Sequence, residues 1–210
     1  MSKFFSVRGL IFSALFAAML VVFSFVSIPL GFTPVPVTLQ TLAVMLAGAC
    51  LGPLYGFYSI LLVVVLTALG LPLLHGSGGL AVILGPTGGY IVAWPLSALL
   101  IGWSMSRIRG TGVKSYIYAF GSAMLFGGAL DYAVGVPWLA HTVHLPFGKA
   151  MIEGCYPYLP GDAIKAAVAA LVAVPVRQAF PPARLTGAEQ AQVIRLSDDA
   201  SFPSGGPKRG

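Results

Sequence analysis

Charge is what this sequence lacks. Only 9% of its 210 residues are Asp, Glu, Lys or Arg, against 57% that are apolar, whereas a soluble globular protein devotes about a quarter of its residues to charge. Between Gly9 and Ser106 there is no charged residue at all, and a soluble domain could not keep a wet surface across such a stretch. A soluble enzyme and a disordered regulator are excluded. Cysteine is scarce too. Cys50 and Cys155 fit neither a disulfide framework nor a metal-ligand spacing, which excludes a stapled secreted module and makes each a small apolar packing residue. Also missing are G-x-x-x-x-G-K-[ST], G-x-S-x-G and H-E-x-x-H, so the chain carries no ATP-binding loop of its own and no visible hydrolytic nucleophile or metal pair. His141 and His144 have i,i+3 spacing, but Pro146 follows closely and no acidic or thiol cluster accompanies them. The sequence therefore calls for no metal, no cofactor and no enzyme chemistry.

What is present is a series of long apolar runs. At about 20 to 25 residues per span with connections, the chain holds about six transmembrane helices and little else, so an all-α membrane bundle is expected. The first run, Val7 to Ser27, is too long for a signal-peptide core. It gives way to IPLGFTPVPVT, Ile28 to Thr38, whose three prolines force an ordered turn or extended loop. Thr38–Leu51 and Leu54–Leu69 form a helical hairpin around Gly52-Pro53. The Gly-rich stretch Leu71–Tyr90 is too broken for a span and too apolar for an aqueous loop, and is expected to fold back into the protein. Gly89–Ser106 and Ser115–Val134 are the fourth and fifth spans. Gly135–Pro160, interrupted by four prolines, reads as a re-entrant or surface-lying half-helix, and Gly161–Val176 as the sixth span.

The basic residues set the orientation. With the N-terminus inside, Lys3 and Arg8, the Arg107/Arg109/Lys114 cluster and Arg177/Arg184 all fall on the cytoplasmic side, and so does the C-terminus. The net charge of +6 thus reports topology, and nucleic acid is discarded as a partner. Residues 1–177 form one membrane domain, followed by a polar, disordered cytoplasmic tail at 178–210. The irregular connections all lie on the outer face, as in a protein that receives a small ligand from outside.

Few residues are left to carry chemistry. Asp162 and Lys165, in PYLPGDAIKAAVAA, share one face at the outer end of the sixth helix. Asp162 alone could be a helix cap, but a lysine in a first helical turn opposes the macrodipole, and a purely structural choice would rarely place one there. Together they bring an acceptor and a donor to one point of an apolar pocket. Gln40 lies in the first turn of the second helix, where a buried amide needs loop carbonyls or a ligand as partners. Asp131 follows the small run Gly127-Gly128-Ala129 and reads mainly as an interface residue, with a pocket role as the alternative. Lys149 and Glu153, spaced i,i+4, read as a modest surface ion pair. The glycines of HGSGG and GPTGGY serve either close helix packing or backbone contact with a ligand. Small residues recur as Ser13-x-x-x-Ala17, as Ala14-x-x-x-Ala18 and at Gly48, Gly52 and Gly56, a spacing that lets helices approach closely, within the chain or with a partner subunit.

Taken together, TPVPVTLQTLAVMLAGACLGP, GGLAVILGPTGGY and PYLPGDAIKAAVAA closely resemble BioY, the biotin-specific S component of energy-coupling factor (ECF) transporters, over about Leu10 to Val176. The resemblance implies the six-helix S-component fold in a bacterial cytoplasmic membrane. It implies high-affinity capture of biotin from outside, and docking on a transmembrane T component driven by two ATPases. Asp162 and Lys165 correspond to the family's binding pair, and Ala14 and Ala18 to its T-component contact. Biotin carries a carboxylate, an apolar chain and a ureido group with two N–H donors and one carbonyl. Asp162 can accept from the N–H groups, and Lys165 can donate to the ureido oxygen or to the carboxylate. Gln40, Gly79, Thr87, Gly88, Tyr90 and Trp138 complete the expected site, with Phe32 as a further wall and Leu71–Tyr90 as its lid. The sequence also admits a homo-oligomer within the lipid bilayer. Two rival functions remain: a self-sufficient proton-coupled carrier, and a membrane-embedded lipid enzyme centred on Asp131, His141 and His144.

Overall fold

Apolar helices without charge have only one way to satisfy their backbone in hydrocarbon, which is internally. In a computed structural model of the protein, the residues described are 6–108, 110 and 112–185. Lys3, Arg109 and the tail from 186 to 210 lie outside them. Ser6 starts helix α1, Val7–Ser24, by accepting the Gly9 N–H on its hydroxyl at 2.9 Å. The proline-rich segment is an ordered hairpin: β1, Ser27–Ile28, pairs antiparallel with β2, Val37–Thr38. Then follow α2, Gln40–Leu51, and α3, Pro53–Ala68, joined at Gly52, whose φ of 82° requires glycine.

A short α4, Leu80–Leu84, sits within the Gly-rich stretch, and α5 spans Gly88–Met105. Helix α6, Val113–Met124, runs through a π-helical turn at Leu125–Ala129 into α7, Leu130–Thr142. The amphipathic half-helix is α8, Phe147–Gly154, where Lys149 and Glu153 approach to 3.9 Å. Helix α9, Leu159–Ala179, and a single turn α10, Pro182–Leu185, complete the described chain. Residues 178–185 of the expected tail are thus the end of α9 and α10, which leans on α1 and α2.

The fifth apolar run is longer than its sequence suggests. Pro137 was expected to stop it, yet the helix continues to Thr142 with Pro137 inside, as α5 does through Pro95 and α9 through Pro175. One proline removes a single N–H, whereas ending a helix in an apolar medium strands several backbone groups, so continuation is favoured.

Helix α2 is the axis of the bundle, buried everywhere except at Thr41 and Leu42. On one side it packs with α5, α6 and α9 through Met45, Ile101, Ala119, Ala166 and Ala170, and on the other with α1, α3 and α5 through Ala43, Ala47, Leu20 and Ile60. The α2–α5 approach is so close that a Cβ on Gly48 would stand 2.4 Å from the Ala98 carbonyl oxygen. Among the described residues, four helical segments are long and apolar enough to cross a membrane: Val7–Ser24, Gly88–Met105, Val113–Thr142 and Leu159–Ala179. At 1.5 Å per residue, α2 and α3 reach only about 18 Å and about 24 Å, short of a hydrocarbon core of about 30 Å. For α2 that shortness is tolerable, because protein covers it on nearly every side.

Candidate functional site

The irregular connections gather at one end of the bundle and close over a cavity there. Its walls are Val35, Pro36 and Thr38 of the β-hairpin, Leu74 and His75 of the loop after α3, Val82 of α4, and Thr87, Tyr90, Ile91 and Trp94 at the start of α5. Its floor and far side are Gln40 and Thr41 of α2, Gly127 and Asp131-Tyr132 around the start of α7, Gly154, and Tyr158, Asp162 and Lys165 at the start of α9. Apolar walls around a few convergent polar groups are the usual make-up of a small-molecule site.

The polar centre is built on the first turns of α9. Pro160 and the preceding turn start that helix, and Asp162 and Lys165 face inward, both buried. Lys165 Nζ donates to Asp162 Oδ1 at 2.8 Å and to Thr41 Oγ1 at 2.9 Å. The Tyr132 hydroxyl donates to Asp162 Oδ2. A buried charge pair is tolerated only when its remaining valences are met, and here α2 and α7 supply the extra partners. The arrangement uses two of the three ammonium donors and leaves one for a ligand.

A second polar group lies on α7. Asp131 is 3% exposed and accepts from Ser97 Oγ of α5 at 2.5 Å. The π-helical turn just before it adds one residue to the helical register, and such turns are common at functional sites.

The surrounding loops are tethered. Tyr158 donates its hydroxyl to the Val35 carbonyl, holding the β-hairpin against α9. Ser24 Oγ donates to the Leu73 carbonyl at 3.0 Å and accepts from the His75 N–H at 3.2 Å, fixing the loop after α3 to the end of α1. His75 takes a positive φ of 54° there, and partial burial pushes its imidazole below the usual 6.5. Tyr90 donates to the Gly154 carbonyl at 2.7 Å, locking α8 onto α5.

Of the residues singled out in the sequence, Asp162, Lys165, Gln40, Thr87 and Tyr90 come together on this cavity, and so does Asp131, which the sequence read mainly as an interface residue with a pocket role as the alternative. Gly79, Gly88 and Trp138 stand outside its lining. The Trp138 indole donates to the Gly85 carbonyl at 2.9 Å and packs against Gly88 and Gly89, bracing the start of α5 from behind. Phe32 is exposed at the hairpin tip. Thr41, Tyr132, Trp94 and Ser97 join the site without having been singled out; Thr41 and Tyr132 adjoin Gln40 and Asp131 in the chain, which is the only sequence signal for them. Far from the cavity, Ala14 and Ala18 lie on the exposed face of α1, while Ser13 and Ala17 face inward. Among the described residues no group of His, Cys, Asp and Glu could hold a metal ion.

Known proteins resemble this chain in sequence and in fold. A sequence model described as the BioY family matches residues 1–182. The chain is 41% identical over 186 residues to a protein of Rhizobium etli named biotin transporter BioY, covering 85% of this chain and 99% of that one. It is 40% identical over 188 residues to a Rhodobacter capsulatus protein of the same name, covering 85% and 97%. Among solved structures, the S component for biotin from an ECF-type ABC transporter superposes with a TM-score of 0.77 at 34% identity, covering 85% of this chain and 95% of that one.

Proposed function

The chain belongs to the BioY family, and from that premise we propose that it is the substrate-binding S component of an ECF-type biotin transporter. It binds biotin and serves its uptake; it is a membrane protein and not an enzyme. The observation that carries this reading is the Asp162–Lys165 pair, cross-linked by Thr41 and Tyr132 inside an otherwise apolar cavity. Such a centre suits a ligand that is mostly hydrocarbon but carries donors and acceptors at its ends, which describes biotin.

In this reading residues 1–177 cross the cytoplasmic membrane of a bacterium six times, with α2 and α3 as the short central pair. Both termini and the 178–210 tail are cytoplasmic, and the cavity end faces outward. Asp162 accepts from and Lys165 donates to the polar groups of biotin. Gln40, Thr87 and Tyr90 complete the walls, while Gly79, Gly88 and Trp138 support the 71–90 segment as it closes over the ligand and excludes water. Release toward the cytoplasm is the task of a T component and two ATPases, since the chain contains no nucleotide-binding motif. The T component docks on the exposed Ala14–Ala18 face of α1, where small side chains let a partner helix approach.

The test is uptake. Membrane vesicles holding this chain with T and ATPase subunits should accumulate labelled biotin only when ATP is supplied. A proton-coupled carrier would instead accumulate biotin from the isolated chain under a pH gradient, and that result would displace the present reading.

A further inference from the structure

A groove between α5 and α6 opens at the end of the bundle away from the cavity, and its polarity changes in steps along its length. At its mouth stands Arg107, just past the end of α5. The guanidinium lies 3.4 Å from the centre of the Trp103 ring, and Nη1 donates to the Trp103 carbonyl at 3.3 Å. Most of its N–H donors remain, and among the described residues it has no acidic partner. Lys114, exposed at the start of α6, sits one turn before Tyr118 on the same helix face. One level deeper, Ser104 Oγ donates to the Tyr118 hydroxyl at 3.1 Å across the groove, which leaves the tyrosine its own proton to donate. A further turn along α6 is Ser122, 6% exposed, whose hydroxyl is buried with no hydrogen-bond partner. The groove ends on Leu125 and Phe126, and a Cβ on Gly121 would meet nothing within 4 Å. Folded proteins rarely leave a buried hydroxyl unmet, and in hydrocarbon there is no water to meet it.

Cations at the mouth, hydroxyls below them and an apolar slot beyond repeat the order of phosphate, ester and acyl chain in a phospholipid. Charge selects among the occupants. Arg8, Arg107, Lys114, Arg177 and Arg184 all lie at this end, whereas the described acids, Asp131, Glu153 and Asp162, lie toward the cavity end. A second copy of the chain packed symmetrically here would set Arg107 and Lys114 against their own like. A zwitterionic lipid would leave them unneutralised, and a soluble anion would leave the apolar slot empty. We propose that the α5–α6 groove binds one anionic phospholipid from the leaflet at this end of the bundle. Its phosphate sits on Arg107 and Lys114, its ester carbonyls accept from Tyr118 and Ser122, and one acyl chain runs over Leu125 and Phe126. Trp103, half exposed, stacks on the guanidinium and holds it at headgroup depth. Because α5, α6 and the π-helical turn alone line the groove, the lipid leaves the exposed face of α1 uncovered.

The experiment is native mass spectrometry of purified full-length protein in detergent, with phosphatidylglycerol, phosphatidylcholine or glycerol phosphate added. The wild type should stay monomeric and retain one phosphatidylglycerol at concentrations where it retains neither of the others. The double variant Arg107→Gln/Lys114→Gln should weaken that retention by roughly tenfold or more. Gly121→Leu, which fills the groove and keeps both cations, should weaken it as well. An arm on wild type alone uses phosphatidylglycerol with a photoreactive acyl chain, whose adducts should concentrate on residues 118–126 and Trp103; if the variants do not fold, this arm decides. Equal retention of the two phospholipids, undiminished retention in the folded variants, retention of glycerol phosphate by itself, or adducts spread evenly over the lipid-facing helices would overturn the proposal. A stable dimer in place of the lipid adduct would overturn it too, and would assign the groove to a second copy.

Discussion

Breaking the Asp162–Lys165 pair from one side should be worse for the fold than removing both charges together. Lys165 Nζ lies 2.8 Å from Asp162 and both side chains are almost fully enclosed, so Lys165→Met leaves a buried carboxylate with hydroxyl partners only. Removing one partner of such a pair costs about 3 to 5 kcal/mol of stability. Asp162→Asn strands the ammonium in the same way. The double variant Asp162→Asn/Lys165→Met buries no charge, and neutral replacement of a buried pair is often close to harmless; it should recover most of the stability either single variant loses. Biotin binding should behave differently. Each charge-assisted hydrogen bond to the ligand contributes about 1.5 to 3 kcal/mol, or roughly tenfold to 150-fold in affinity, and the double variant recovers none of it. Unfolding of the four proteins in detergent, followed in each by calorimetric titration of biotin, separates the two effects. Single variants as stable as wild type, or a double variant that binds biotin normally, would refute the assignment of this pair as a preorganised binding centre.

Three further outcomes are expected. Ala14→Trp or Ala18→Trp should leave biotin affinity unchanged, because both residues lie on the exposed face of α1, but should abolish co-purification with the T component; undiminished co-purification would place the docking face elsewhere. Gly48→Val should destabilise the bundle by about 1 to 3 kcal/mol through overpacking, since its Cβ would meet the Ala98 carbonyl oxygen at 2.4 Å; Gly121→Ala, with nothing within 4 Å, is the control that should not destabilise, and a stable Gly48→Val would contradict the packing. His75 has its folded-state pKa held below the ordinary 6.5 by partial burial, so its contribution to loop stability is complete above 6.5 and is lost as pH falls through the lower folded value. The protection factors of the amides at residues 71–79, measured against the intrinsic exchange rate at each pH, should therefore fall on acidification from neutral pH, and His75→Gln should remove the dependence; an equal fall in that variant would assign it to another group.

The helices were legible in the sequence because absence of charge is an unambiguous signal in a membrane protein, and prolines and glycines marked most of their ends. The Asp162–Lys165 pair was legible because i,i+3 spacing survives any uncertainty about which way a helix is rotated. Its partners were not. Helices α2 and α5 are apolar on all sides, so no periodicity tells which face turns inward, and Thr41, Trp94 and Ser97 gave no sign of sharing a cavity. Asp131 read mainly as an interface residue, with the pocket as the alternative, and Tyr132 was hidden by the π-helical turn at Leu125–Ala129. One extra residue per turn rotates everything after it by about 100° relative to a 3.6-residue repeat, so spacing across that turn misleads. Pro137 misled in a different way: in water it would have been a fair stop signal, but an apolar medium penalises a broken helix more than one lost N–H. Trp138 and Gly88 lie at the right end of the bundle yet one layer behind the cavity, a distinction of depth that sequence pattern does not encode.

If this cavity is built for biotin, equilibrium titration of biotin into the purified, detergent-solubilised chain with no partner subunits present will reveal it. Binding should be saturable at one site per chain, competed by unlabelled biotin and weakened at least tenfold by Lys165→Ala. A folded, monodisperse protein that takes up no biotin, or one whose binding Lys165→Ala leaves untouched, would contradict it.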